Sequence, residues 1–231
     1  VLFRSREKDA VYFLREDSKN VIGKAASGIR DFLAHELHFY RDKKLLRVDP
    51  RAATKVSLSR DGRDIGIERT DGEWAVTSPV KGKIPQGVML SLLRPFENLR
   101  AIEFVTDADA GPAAATYGLD NPFLTIRVTH AGKEEILSVG KQASGRFYYA
   151  SLAGVEGVFL LNRKTVKLWD VDLLKQIYLI EEDVNRDTIV DSWTYFDKGR
   201  KTKLEIDVNN DGKPDAVSNF IYNADGALVK V

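Results

Sequence analysis

Apolar positions along this chain recur with two periods, and the two periods predict its elements. Val11, Tyr12, Phe13 and Leu14 form a bulky, β-prone run that predicts a short strand over residues 9–14. Ser27 is placed to cap a helix whose Ile29, Phe32, Leu33 and Leu37 recur at spacings of three and four on one face. Asp49-Pro50 then breaks the chain. Val56 and Leu58, Ile65 and Ile67, and Trp74 and Val76 each alternate with polar neighbours. Asp61-Gly62 and Asp71-Gly72 separate the three pairs as turn dipeptides, which predicts an antiparallel meander. Pro85 opens a helix with Val88, Met89, Leu92, Leu93 and Phe96 as its buried stripe, and Pro95 distorts its last turn. Ile102, Phe104 and Val105 predict a further strand, and residues 107–115 a loop.

Two more hairpins follow. Residues 123–129 and 134–139 alternate around Ala131-Gly132, and residues 147–150 pair with 158–161. Residues 169–178 predict a short helix through Leu173, Leu174 and Ile177. The expected class is α+β: an antiparallel meander sheet with a few packed helices and a C-terminal tail of β-hairpin repeats. The expected core is Trp74, Val76, Val88, Leu92, Leu93, Phe96, Phe104, Leu124, Ile126, Ile136 and Val139.

Two internal similarities suggest the domain plan. Val11-Tyr12-Phe13-Leu14 resembles Val158-Phe159-Leu160-Leu161, and each run precedes a segment with paired apolar residues. Residues 1–46 therefore read as the remnant of a preceding domain copy and 47–180 as one complete domain. Val1-Leu2-Phe3-Arg4-Ser5 is what one reading frame of a common sequencing adapter encodes, so the natural chain is expected to begin earlier. The second similarity is sharper. Asp183-Val184-Asn185-Arg186-Asp187 recurs 24 residues later as Asp207-Val208-Asn209-Asn210-Asp211, and each copy has an acid at its ninth position, Asp191 and Asp215. Residues 181–231 read as two hairpin repeats joined by acidic loops.

Composition narrows the function. Over 231 residues, 35 Lys and Arg balance 34 Asp and Glu for a net charge of +1, which excludes a strongly basic nucleic-acid binder. Charge is uneven, since residues 181–231 hold 11 acidic and 7 basic side chains. Cysteine is absent, so there is no disulfide framework, Cys-ligated zinc or thiol nucleophile. No apolar run reaches the length of a membrane helix, about 20 residues.

The strongest chemical signal is Asp207-x-Asn209-x-Asp211-Gly212-x-x-Asp215. A hard cation such as calcium takes six to eight oxygens, and alternate side chains of a short loop can converge on it. Asp207, Asn209, Asp211 and Asp215 stand at positions 1, 3, 5 and 9, Lys213 offers its backbone carbonyl at position 7, and Gly212 allows the sharp turn at position 6. Ser218 stands where an EF-hand has its bidentate Glu, so weak affinity is expected. An Asx-rich turn is the plainer explanation. In the first loop Thr188 replaces the glycine and is expected to spoil the site. His35-Glu36-Leu37-His38 spaces its histidines by three instead of the four of a zinc protease, and no third ligand accompanies them. His130 lies at a hairpin end with no sequence partner. The basic run Lys198 to Lys203 reads as a turn flank. There is no nucleophile elbow and no phosphate-binding glycine loop.

Arg41-Asp42-Lys43-Lys44-Leu45-Leu46, Asp71-Gly72-Glu73-Trp74 with Pro79, Tyr117-Gly118-Leu119-Asp120-Asn121-Pro122 and Val139-Gly140 together resemble domain-of-unknown-function family 4340 over about residues 41–165. That resemblance implies domains repeated in tandem behind an upstream membrane anchor, a periplasmic or otherwise extracytoplasmic location, and gene neighbours encoding gliding-motility-type ABC transporter components. It implies no catalytic residue. The tail resembles acidic repeats of bacterial surface proteins. The expected function is a noncatalytic cell-envelope accessory module that binds a protein partner in an ABC-transport or gliding-motility assembly. The alternatives are a calcium-rigidified spacer and a metal-dependent hydrolase. Leu119 is expected to plug the core.

Overall fold

The computed structural model describes residues 37–106 and 111–231, together with the backbone of three strands near the amino terminus. The expected helix at 29–37, except for Leu37 at the start of a 3₁₀ turn over Leu37–Tyr40, and the residues His35 and Glu36 lie outside the described residues. Two compact units result, residues 1–41 and 42–231. The first contains β1 (Leu2–Glu7), β2 (Ala10–Leu14) and β3 (Ile22–Ala26), an antiparallel three-stranded sheet in that order.

The second unit is β-rich and built on one antiparallel sheet. Its strands are β5 (Ala53–Arg60), β6 (Arg63–Thr70), β7 (Glu73–Ser78), β8 (Gly82–Ile84), β10 (Leu124–His130), β11 (Lys133–Ser144), β12 (Phe147–Leu152), β13 (Val155–Asn162), β14 (Leu179–Glu182), β15 (Ser192–Asp197), β16 (Arg200–Ile206) and β17 (Ala216–Asn219). In space they run β13-β12-β11-β10-β5-β6-β7-β8-β14-β15-β16-β17. Two short pairs lie outside it: β4 (Lys44–Leu46) with β9 (Leu99–Arg100), and β18 (Ile221–Tyr222) with β19 (Leu228–Lys230). The division expected at residue 181 does not interrupt the sheet, because β14 pairs with β8 on one side and β15 on the other.

Tight turns set the register. Asp61-Gly62, Asp71-Gly72, Ala131-Gly132 and Lys198-Gly199 all have positive φ at both positions, the requirement of the two-residue turn whose twist matches paired strands. The Ala131-Gly132 turn places Ile126 opposite Leu137 and Leu124 opposite Val139, so these four point into the core. Ile136, an expected core residue, consequently sits opposite Arg127 on the other face and is only half-buried.

One apolar layer covers the core face. Helix α1 (Gln86–Leu93) follows Pro85, which serves as its extended N-cap, and buries Met89, Leu92 and Leu93. Val88 of the expected stripe is only partly buried. At Arg94-Pro95 the helix tightens into a 3₁₀ turn through Asn98, as a proline that cannot donate requires, and Phe96 is fully buried there. Phe104 is buried against Phe159, their ring centroids 5.8 Å apart. Residues 102–105 run beside β13, with Ile102 N donating to Leu160 O at 2.9 Å and Leu160 N to Glu103 O at 2.8 Å.

The helix expected over 169–178 is absent as one element. Instead α2 (Ala114–Tyr117) follows residue 113, α3 (Arg163–Lys167) follows Asn162, and residues 173–176 form a 3₁₀ turn. The Asn162 side chain accepts from Lys164 N at 2.8 Å, which starts α3 directly after β13. Trp169 and Leu173 still reach the core, but from an irregular segment. The two faces of β11 give a direct test. Leu137→Ala is expected to cost about 2–5 kcal/mol, the usual range for a fully buried large-to-small change, and Ile136→Ala clearly less, measured by urea denaturation of the two variants.

Candidate functional site

Two loops leave the same end of the sheet, residues 183–191 between β14 and β15 and residues 207–215 between β16 and β17. Both use one hydrogen-bond pattern. In the second, Asp207 Oδ1 accepts from Asn210 N at 2.7 Å and its Oδ2 from Gly212 N at 2.7 Å. Asn209 Oδ1 accepts from Asp211 N at 3.0 Å and Asp211 Oδ1 from Lys213 N at 2.9 Å. Asp215 Oδ2 closes the loop by accepting from Val208 N at 2.9 Å and Asn209 N at 3.1 Å. The first loop repeats this residue for residue: Asp183 accepts from Arg186 N and Thr188 N, Asn185 from Asp187 N, Asp187 from Ile189 N, and Asp191 from Val184 N and Asn185 N.

The pattern explains the spacing. An irregular loop leaves backbone N–H groups without ladder partners, and acids at alternate positions supply acceptors for them. Asp207 is 6% exposed, and its burial is compatible with the N–H groups its carboxylate accepts from. Position 6 needs a left-handed backbone. Gly212 has φ +80°, and Thr188 adopts φ +78° in spite of its branched Cβ. Thr188 therefore does not spoil the first turn as expected; Asp183 Oδ2 accepts from its N–H at 2.9 Å and holds it there.

The loops also touch. Asn210 Nδ2 donates to Asp187 Oδ2, and Ile189 lies beside Gly212. Asp187 accepts from Ile189 N, from Asn210 and from Asn185, in that order of influence, and these donors hold its pKa below the ordinary carboxylate value. Among the described residues no three His, Asp or Glu side chains form a group able to hold a metal ion. Asp207, Asn209, Asp211 and Asp215 accept from backbone N–H groups of their own loop.

The strands below carry further polar contacts. Tyr195 Oη donates to Glu205 Oε2 at 2.8 Å, and the Lys203 ammonium lies 5.0 Å from the Tyr195 ring centroid. Lys203 first, then Tyr195, stabilise the Glu205 carboxylate and lower its pKa. Lys201 sits over Phe220 and Arg200 over Tyr222, so the basic run is a turn flank stacked on aromatics. Lys83 bridges Glu73 at 3.3 Å and Glu181 at 3.1 Å; burial opposes its charge, and the two acids outweigh burial and raise its pKa. His130, which had no sequence partner, has a buried Nε2 that lies 3.6 Å from Glu135 Oε1.

The motif pieces at 117–122 and 139–140 meet. Gly118 ends α2 with φ +68°, and a Cβ there would lie 2.8 Å from Lys141 N. A Cβ on Gly140 would lie 2.2 Å from Tyr117 O. The two glycines thus allow backbone to seat on backbone, at the point where β11 bulges between Val139 and Gln142. Tyr117 packs edge-on against Tyr149, ring centroids 5.0 Å apart. Leu119 does not plug the core. It is half-buried and shares a cleft of about 510 Å³ with Ile136 and Leu152. Another cleft, about 670 Å³, lies between the β5–β6 turn and residues 170–174, floored by Leu58, Ile65 and Leu174, with Arg60 paired to Asp170 at its rim. None of its lining residues comes from the acidic loops.

Two measurements follow from this geometry. Gly140→Ala is expected to destabilise by about 1–3 kcal/mol or more, the range for overpacking against backbone that cannot move aside, read as a lowered melting temperature. Asp187 and Glu205 have pKa values depressed on folding, so their stabilisation is present above the unfolded value of about 4 and is lost as pH falls through the lower folded value. Circular dichroism in acid should show Asp187→Asn losing this part of the pH dependence.

Compared with known proteins, residues 4–115 match the family described as "Domain of unknown function (DUF4340)". The match crosses the boundary expected at residue 46 and ends before Tyr117, whereas the motif resemblance extended over 41–165. No curated protein and no solved structure matches the chain.

Proposed function

We propose, for a chain whose residues 4–115 match that family, a noncatalytic extracytoplasmic accessory module that holds a protein partner within an ABC-transport or gliding-motility-type assembly. The observation that carries this reading is the sheet itself. Its strands continue without a break from the covered core into β15–β17, and the acidic loops at their ends are occupied in fixing their own backbone. Such an arrangement provides one continuous extended surface, the requirement of a scaffold. The metal-dependent hydrolase gains no support, because the acidic loops line neither the cleft at residues 58–65 nor the one beside Leu119. The test is affinity capture of the full chain from detergent-solubilised native membranes. ABC-transporter components are expected to co-purify; their absence from the captured material contradicts the reading.

Calcium rigidifying the tail is a second reading, favoured by Asp or Asn at positions 1, 3, 5 and 9 of both loops and by the left-handed backbone at position 6 of each. It uses the lone pairs that the N–H donors leave free, since an ionised carboxylate has about four acceptor sites. If calcium binds the folded chain, a hundredfold excess over Kd stabilises it by about 2.7 kcal/mol, and Asp211→Ala should remove that gain. Calorimetric titration with millimolar calcium that yields neither heat nor a shift in melting temperature reduces both loops to hydrogen-bonded turns.

A further inference from the structure

We propose that the surface built by residues 43–51 and 94–102 docks on an anionic lipid bilayer. Two segments about fifty residues apart are laid side by side here by the β4–β9 pair, by Val48 N donating to Phe96 O at 2.8 Å and by Ala101 N donating to Lys43 O at 2.7 Å. They carry six exposed cations, Lys43, Lys44, Arg47, Arg51, Arg94 and Arg100. Among the described residues, none of the six forms an ion pair. Three acids share the surface. Asp42 Oδ1 accepts from Lys44 N at 3.0 Å and Asp49 Oδ1 from Arg51 N at 2.9 Å, so both serve the backbone, and Glu97 is the third.

The shape selects among anions. Two hollows of about 600 and 510 Å³ meet at Asp49, Pro50 and Glu97, with Lys44 and Arg47 around one and Arg51 and Arg94 around the other. The cations are therefore spread, with acids between them, and do not focus on a single phosphate. Two aliphatic side chains accompany them. Leu90, 39% exposed, lines the second hollow, and Ile102, 40% exposed, follows Arg100 and buried Ala101 in the second segment. A soluble polyanion gives such residues no apolar partner, whereas a bilayer takes them into its interface while its phosphates meet the guanidinium groups. The surface lies on elements separate from the acidic loops and does not depend on the function proposed above.

Co-sedimentation of the full chain with phosphatidylcholine vesicles, with and without phosphatidylglycerol, tests this. Binding is expected only with the anionic lipid, and it should weaken as salt screens the charges. Each removed cation should weaken partitioning about fivefold, so Arg47→Ala, Arg94→Ala and Arg100→Ala together should cost about a hundredfold. Lys55→Ala with Lys175→Ala, which removes paired cations elsewhere, should cost far less. Leu90→Ser with Ile102→Ser should weaken vesicle binding at unchanged charge. Melting curves check folding, and if the triple variant melts early, Arg94→Ala alone carries the comparison. Equal binding to neutral vesicles, or unchanged partitioning of the arginine variants, overturns the proposal. So does duplex DNA binding as tightly as the vesicles with the Leu90 and Ile102 variant unaffected.

Discussion

Trp169 ties together the cover over the sheet. Its ring lies 5.2 Å from that of Phe96, and its indole N–H donates to Leu92 O at 2.9 Å, 77 residues away in sequence. An antiparallel sheet alternates its side chains between two faces, so one face must be buried if the chain is to fold. Here α1, the 3₁₀ turn after it and the segment through Trp169 form that cover, over Val56, Leu58, Ile67, Trp74, Ile126, Leu137 and Val139. The indole nitrogen would be an orphan in so apolar a setting without the carbonyl at the end of α1. Loss of that contact would separate two parts of the cover that have no covalent reason to meet.

The cover ends near Leu179, and the physics of the sheet changes there. Beyond it the buried side chains are Thr194 and Asp207, both polar. Strands β15–β17 gain little from apolar burial, and Val217 and Ile221 are about half exposed. What replaces the core is electrostatic and local: ladder hydrogen bonds, carboxylates accepting from loop N–H groups, a Tyr195–Glu205–Lys203 cluster and cations stacked on rings. Each of these is individually modest and exposed to screening. A tail held in this way should open at lower free energy than the covered sheet, within one continuous set of strands.

Much of the covered sheet was legible from period-two alternation and from Asp-Gly and Ala-Gly turns. Ile136 was misplaced because Ile136 and Leu137 are adjacent apolar residues and alternation alone cannot choose between them. The two-residue turn chooses, since pairing outward from Ala131-Gly132 puts Leu137 opposite Ile126. The expected helix at 169–178 followed helical spacing in residues whose burial comes from tertiary contact; the real helix at 163–167 had only the Asn162 cap to announce it. The acidic loops were readable as repeats and as Asx-rich turns, but not which backbone N–H groups each carboxylate takes. Thr188 at positive φ ran against residue preference, because hydrogen bonding to Asp183 overrides it. The cationic surface was invisible, because only the fold brings residues 43–51 beside 94–102.

The central claim is that carboxylate-to-backbone hydrogen bonds hold the tail strands where the apolar cover stops. Native-state hydrogen exchange on Asp207→Ala, read amide by amide, tests it most directly. The account predicts loss of protection in β16 and β17 and in the loop at 207–215, with protection in β5, β10 and β11 unchanged. Unchanged exchange throughout the tail, or loss spread evenly over the covered sheet, would contradict it.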